Sequence, residues 1–196
     1  MPTGTRFVLN KVVLAFPRLL TAEIPKFKKD KSDAKPVRSV TLLVPLDQIE
    51  ALRKQVAEKT FGDVASVPKG FPKALGVHDG DALDEDDERR FPQAFSGYAV
   101  LKASTQFDLA PLWYGPNKRA PTESELYSGL IANVSVTPNS WTYENKRGVS
   151  FYLNGLWITG KGTKLSLNSG DASDDLGGSG PDFGEGWSDD EGSELI

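Results

Sequence analysis

Residues 126–160, LYSGLIANVSVTPNSWTYENKRGVSFYLNGLWITG, decide how the rest of the chain is read. Val, Ile, Phe, Tyr and Leu concentrate towards the two ends of this stretch, and such side chains suit a pleated, half-buried surface. The pattern predicts two strands, roughly residues 130–137 and 149–159, joined as a hairpin. Between them lie Trp141 and Tyr143, bracketed by Asn139, Ser140, Glu144 and Asn145 and followed by Lys146, Arg147 and Gly148. A link this polar has little core to join, so both rings are expected to face solvent.

The preceding residues supply the partners of that hairpin. Residues 6–16, RFVLNKVVLAF, contain no Gly or Pro and predict a first strand ended by Pro17. VRSVTLLV, residues 37–44, predicts a second. After Pro45 the run DQIEALRKQVAEKT places Ile49, Leu52 and Val56 on one helical face, with Asp47 as its N-cap. Residues 61–78 are interrupted by Gly62, Pro68, Gly70, Pro72 and Gly76 and predict a loop with one short helical turn. FSGYAVLKASTQ, residues 95–106, alternates: Tyr98, Val100, Lys102 and Ser104 share one face, while Gly97, Ala99, Leu101 and Ala103 share the face expected to be buried. LAPLWYG, residues 109–115, predicts a short strand or turn. Phe7, Phe16, Phe151 and Trp157 fall in strand patterns and are assigned to the core.

These elements amount to five or six strands and one helix, without the strand–helix alternation that builds a parallel sheet. The economical architecture is mostly β: an OB-fold-like antiparallel five- to six-stranded barrel with one inserted α-helix. It occupies residues 1–164. Residues 165–196 differ in kind, with nine acids, no base, and mostly Gly, Ser and Asn besides. Such a segment buries too little apolar surface to offset the entropy of ordering it, and a disordered acidic C-terminal tail is expected. Without the tail's nine acids, 18 of the chain's 27 acidic residues stand against all 23 basic ones, so the body is near +5. A basic body suggests a polyanionic ligand.

Several kinds of chemistry are disfavoured. There is no cysteine, hence no disulfide, no thiolate metal site and no Cys nucleophile. No stretch approaches the ~18 apolar residues of a membrane span, and no export signal opens the chain, so a soluble, intracellular protein is expected. His78, the sole histidine, precedes a run with seven acids between Asp79 and Glu88. Asp79, Asp81 and Asp84 offer oxygen ligands around Gly80, but the spacing is not that of a calcium loop. A solvated acidic loop, or one docked on a basic surface, is the expectation. There is no phosphate-binding glycine loop and no nucleophile elbow. The chain reads as a non-enzyme without metal or cofactor.

Binding is better supported. Single-stranded nucleic acid is held by cations that track its backbone and flat side chains on which bases stack. Aromatic residues adjoin cations at three places. Phe27 lies among Lys26, Lys28, Lys29 and Lys31, with Arg38 beyond; Trp113 and Tyr114 precede Lys118 and Arg119; Trp141 and Tyr143 precede Lys146 and Arg147.

The phrases DGD (79–81), FSGYAVLKAST (95–105), LYSG (126–129) and GVSFYLNGLW (148–157) resemble the phage-encoded single-stranded DNA-binding proteins of tailed bacteriophages. The resemblance spans nearly the whole chain. It implies an OB-fold body that coats single-stranded DNA during phage DNA replication, recombination and repair, in the cytoplasm of the bacterial host cell. It assigns DNA contact to Tyr98, Lys102, Trp113, Tyr114, Trp141, Tyr143, Lys146 and Arg147, with the basic loop from Lys26 to Arg38 a weaker candidate. It also implies a tail that docks replication proteins such as DNA polymerase and competes with DNA for a basic cleft. Tails of this type commonly finish on an aromatic residue, whereas this one finishes Leu195-Ile196. The partner-binding set is therefore Phe183, Trp187, Asp189, Asp190, Glu191, Glu194, Leu195 and Ile196. Either a monomer or a dimer is compatible with such a tail, and no membrane is involved. Competing readings are a protein–protein adaptor of the replication machinery, an RNA-binding module of cold-shock type and, least favoured, a metal-dependent nuclease.

Overall fold

The structure is a computed structural model and describes residues 4–24 and 35–166. Strand β1 (Phe7–Glu23) pairs antiparallel with β6 (Ile131–Tyr143) through Val13, and from Val13 onward with β2 (Val37–Pro45). One strand shared between two neighbours in this way is strongly coiled, and the coiling has a local cause. Register slips occur between Leu9 and Val12 and between Ala15 and Arg18, and Lys11 and Phe16 there have φ of 54° and 49°. Bulges of this kind bend a strand and increase its twist.

The second bulge explains a departure from the sequence reading, which ended this strand at Pro17. Between Ala15↔Thr41 and Arg18↔Ser39, β1 has one residue more than β2. A proline in a bulge removes no ladder hydrogen bond, so the strand continues through it to Glu23.

Strand β4 (Tyr98–Thr105) pairs antiparallel with β2, and β7 (Lys146–Gly160) pairs antiparallel with β6. The barrel closes where β4 meets β7 in parallel, at Ala103↔Phe151 and Ser104↔Tyr152. The order β4-β2-β1-β6-β7, returning to β4, makes a closed five-stranded barrel of the OB type. Two short strands extend the sheet: β3 (His78–Asp79) beside β4, and β5 (Leu112–Tyr114) parallel to β7. The sheet is thus mostly antiparallel, with two parallel pairings at β7.

Inside lie Leu14, Val40, Leu42, Leu101, Ala103, Val134, Phe151, Leu156 and Ile158, all buried. Helix α1 (Ile49–Phe61), inserted between β2 and β4, adds Leu52, Val56 and Ala57 to this core. Asp47 does not cap it. It lies within a 3-10 turn, Leu46–Gln48, that leads into the helix, and neither start carries a side-chain cap. The helix ends at Gly62, whose φ of 88° suits the residue after a helix. Residues 61–78 hold one 3-10 turn, Val64–Ser66, as expected.

Two core assignments need correction. Phe7 and Phe151 are buried, but Phe16 is 42% exposed at its bulge and Trp157 is only half-buried. The hairpin is also longer than predicted. Its strands run to Tyr143 and from Lys146, so Trp141 and Tyr143 belong to β6 rather than to a link. Among the described residues no helix is long and apolar enough to cross a membrane.

Candidate nucleic-acid interface

Residues opposed on neighbouring strands share a face of the sheet. The registers therefore align Arg18, Ser39, Ser104 and Tyr152 in one row across β1, β2, β4 and β7, with Thr41 beside Lys102 in the next row. These six side chains, with Phe16, His78, Gln106, Asn139 and Ser150 among others, line an outer groove of about 750 Å³. Lys102 is exposed and has no ion-pair partner among the described residues. Arg18 is bound to Glu23 at 2.6 Å, both about half exposed. A pair that exposed contributes little to stability, so its guanidinium can be exchanged to a phosphate. Tyr152 and Phe16 supply the flat surfaces.

The hairpin continues this groove upwards. Asn139, Trp141 and Tyr143 alternate onto one face of β6, opposite Ser150, Gly148 and Lys146 of β7. Asn139 and Ser150 are already groove walls. Trp141 is 40% exposed and Tyr143 69%, so both face solvent, as the polar surroundings of the pair suggest. Arg147 belongs to the other face, where its Nη1 donates to the Lys69 carbonyl at 2.5 Å and ties the hairpin to the loop after α1.

A line of rings borders the groove on the β3 side. Phe16 packs edge-on against Phe95 (6.1 Å between centroids), Phe95 lies 6.4 Å from Phe91, and Phe91 lies 6.0 Å from His78. The His78 imidazole is held below its ordinary pKa by burial first, then by Arg90 and Arg53. Its neutral form is the one the fold favours.

The acidic run after His78 is organised by its own hydrogen bonds. Asp79 accepts from the Asp81 N–H at 2.8 Å, and Asp84 from the Asp86 and Glu88 N–H groups at 3.0 Å each. Asp81 accepts from Ser96 Oγ (2.6 Å), the Gly97 N–H (2.9 Å) and Arg89 (2.9 Å). Those bonds lower its pKa to about 2 and anchor the loop that leads into β4. Among the described residues no cluster of His, Asp and Glu has the arrangement of a metal site.

Not every predicted contact residue reaches the groove. Tyr98 shares the Lys102 face but lies beyond the buried Val100, and neither lines the groove. Arg38 is a latch at the end of β2: it binds Asp108 at 2.6 Å and donates to the Leu20 and Phe107 carbonyls. Arg119 is bidentate to Glu125, lowering that carboxyl to about 2, and lies 4.7 Å over the Tyr114 ring. Trp113 lines a separate cleft beside β7, and Lys118 Nζ lies over its ring. Lys26, Lys28, Lys29 and Lys31, and the tail residues Phe183, Trp187, Asp189, Asp190, Glu191, Glu194, Leu195 and Ile196, lie outside the described residues.

No family model matches the chain, and no curated protein sequence does either. Solved structures do match. A C-terminal truncation of the single-stranded DNA-binding protein from bacteriophage Enc34 superposes with a TM-score of 0.60 at 16% identity, covering 82% of this chain and 88% of that one. The same phage protein in complex with single-stranded DNA gives 0.60 and 16%, covering 85% and 95%. This chain shares their fold. A third structure, of the Enc34 protein without those qualifiers, gives 0.58 at 15% identity, covering 90% of this chain and 95% of that one.

The groove also contains residues that sequence reasoning passed over: Phe16, Arg18 and Tyr152. Arg18 was hidden by the expectation that Pro17 ends the strand. Tyr152 was legible, because strict alternation places it opposite the buried Phe151.

Proposed function

We propose that this protein binds single-stranded DNA with little base preference, in the groove over β2 and β4 and along the β6–β7 hairpin. The observation that carries the reading is the row Arg18–Ser39–Ser104–Tyr152 with Lys102 beside it, continued by Trp141, Tyr143 and Lys146. It combines cations for phosphates with rings for bases, and an OB barrel binds oligonucleotides on this same part of its surface. The shared fold with a phage protein solved on single-stranded DNA supports it.

On this reading the protein coats single-stranded DNA stoichiometrically during phage DNA replication, recombination and repair, without a catalytic step, in the host cytoplasm. Residues 1–164 are the DNA-binding body. Residues 165–196, with nine acids and the apolar Phe183, Trp187, Leu195 and Ile196, recruit replication proteins such as DNA polymerase and compete with DNA for the groove. Covalent tethering gives such a tail a high effective concentration, so weak docking suffices for competition.

The test is a titration of dT oligomers at several salt concentrations, with the full chain and with a chain lacking residues 165–196. Affinity should fall with salt at a log–log slope of about −0.7 per phosphate neutralised, and the shortened chain should bind more tightly at low salt. Salt-insensitive binding would overturn the DNA reading; equal affinities would remove the competition.

A further inference from the structure

Strand β7 carries a second surface beyond the groove. Tyr152 lines the groove and Trp157 follows five residues later, a spacing that strict alternation would put on opposite faces. A register slip resets the alternation. Val136 pairs with Leu153 and Ser135 with Gly155, which leaves Asn154 as the extra residue on β7. Leu153, Leu156 and Ile158 remain in the core, while Asn154 and Trp157 line an outer cleft of about 290 Å³ with Arg6, Val8, Trp113 and Ser135. The bulge thus keeps Tyr152 and Trp157 on the outside together.

The two surfaces are successive positions along one strand. β4 flanks β7 first and β5 flanks it next, both in parallel, with Ser104 beside Tyr152 and Trp113 beside Trp157. Five residues of strand separate the two rings by roughly 16 Å.

The cleft's chemistry suits a base and its phosphate. Trp113 and Trp157 meet edge to face at 6.4 Å. The Trp157 indole N–H already donates to the Gly115 carbonyl at 2.9 Å, so what the pair offers a ligand is aromatic surface. Lys118 Nζ lies 4.6 Å from the Trp113 centroid and 4.8 Å from that of Trp157. Its backbone is held by a turn, with its N–H bonded to Gly115 and φ of 51°. No carboxylate among the described residues pairs with it, and none lines the cleft. An exposed ammonium resting on rings is held weakly enough to transfer to a phosphate.

We propose that Trp113, Trp157 and Lys118 form a second base-stacking subsite for the same single strand that fills the groove. The strand reaches it along β7 past Asn154, and Lys118 moves from the rings to a phosphate as a base arrives. The proposal rests on the single-stranded DNA reading and deepens it: the cleft lengthens the DNA track beyond the barrel groove.

Labelled dT oligomers of graded length, titrated by anisotropy against the full chain and its Trp113→Ala and Lys118→Glu variants, test it. The native chain should gain affinity in two stages as the oligomer lengthens. Both variants should match it on oligomers too short to span both sites and lose about ten-fold, or ~1.4 kcal/mol, on longer ones. Native affinity at every length in both variants overturns the subsite, leaving the tryptophan pair to a protein partner and the groove reading intact. An equal loss at all lengths, with unchanged melting, also overturns it, because the pair would then belong to the primary site. Should Trp113→Ala melt early, the exposed Lys118→Glu decides alone. Failure of the native chain to bind any oligomer is a different result, and removes the DNA reading itself.

Discussion

The Trp141 indole lies across the hairpin from Gly148, so close that a Cβ on that glycine would fall 2.5 Å from the ring. The bare backbone at Gly148 is therefore the floor on which one face of the ring rests, while the ring stays 40% exposed to solvent. A ring held in this way loses little freedom when a base stacks on it.

Gly148→Ala should push the indole off that floor without deleting it. Trp141→Ala should weaken dT binding by about 1–3 kcal/mol, the worth of one stacked base. Gly148→Ala should produce part of that loss and a shift in tryptophan emission in the free protein. Unchanged emission and affinity in Gly148→Ala would show that the contact does not position the ring.

Lys102 and Arg38 separate groove cations from structural ones. Lys102 is exposed in the groove and has no ion-pair partner among the described residues, so Lys102→Ala should leave melting nearly unchanged and flatten the salt slope by about 0.7, one phosphate contact. Arg38 has a side chain 17% exposed and fixes Asp108 and two carbonyls, so Arg38→Ala should lower the melting temperature. Its salt slope should remain that of the native chain. Reversed results would exchange the two roles.

His78 gives a direct view of the groove, because it is the only histidine in the chain. Free, its pKa lies below the ordinary 6.5 owing to burial, Arg90 and Arg53. The charged form is the one penalised by folding, so this residue costs stability as pH falls below 6.5 towards its folded pKa. Phosphates in the groove offset the arginine charges and should raise that pKa on binding. An NMR titration of its imidazole signals, with and without a dT oligomer, reads the change. A pKa unmoved by DNA would place the strand away from the β3 side.

The parts of this fold that were legible in sequence are those where side-chain period alone decides the answer. The alternation from Tyr98 onward and the helical face of Ile49, Leu52 and Val56 are of that kind, and both elements form, with β4 starting at Tyr98 rather than Phe95 and α1 at Ile49 without Asp47 as its cap. What was hidden depends on register. The bulge at Phe16–Pro17 and the extra residue Asn154 each reverse an alternation, and each decides which aromatic ring meets solvent. Phe16 and Trp157, both assigned to the core, are the two rings involved. Arg38 is a different case: a cation next to a basic loop reads as a phosphate contact, and the structure pairs it with Asp108, seventy residues later in the chain.

Asp81 supplies a pH-dependent test of how the acidic run supports the groove. Its carboxylate accepts from Ser96, the Gly97 N–H and Arg89, and these bonds fix the turn from which β4 and its Lys102 begin. In the folded protein its pKa is lowered to about 2, against 3.8 for the free side chain. A depressed folded pKa means that the carboxylate's contribution is fully present above the unfolded value and is lost as pH falls through the folded one. Asp81→Asn should therefore melt below the native chain at pH 7. The gap should begin to close once pH drops under the unfolded pKa and should be mostly closed near pH 2, where about half of the native carboxyl is itself protonated. Melting curves of both proteins between pH 7 and pH 2 measure this. A gap that keeps its size across that range would mean that Asp81 acts through shape and neutral hydrogen bonding, not through its charge.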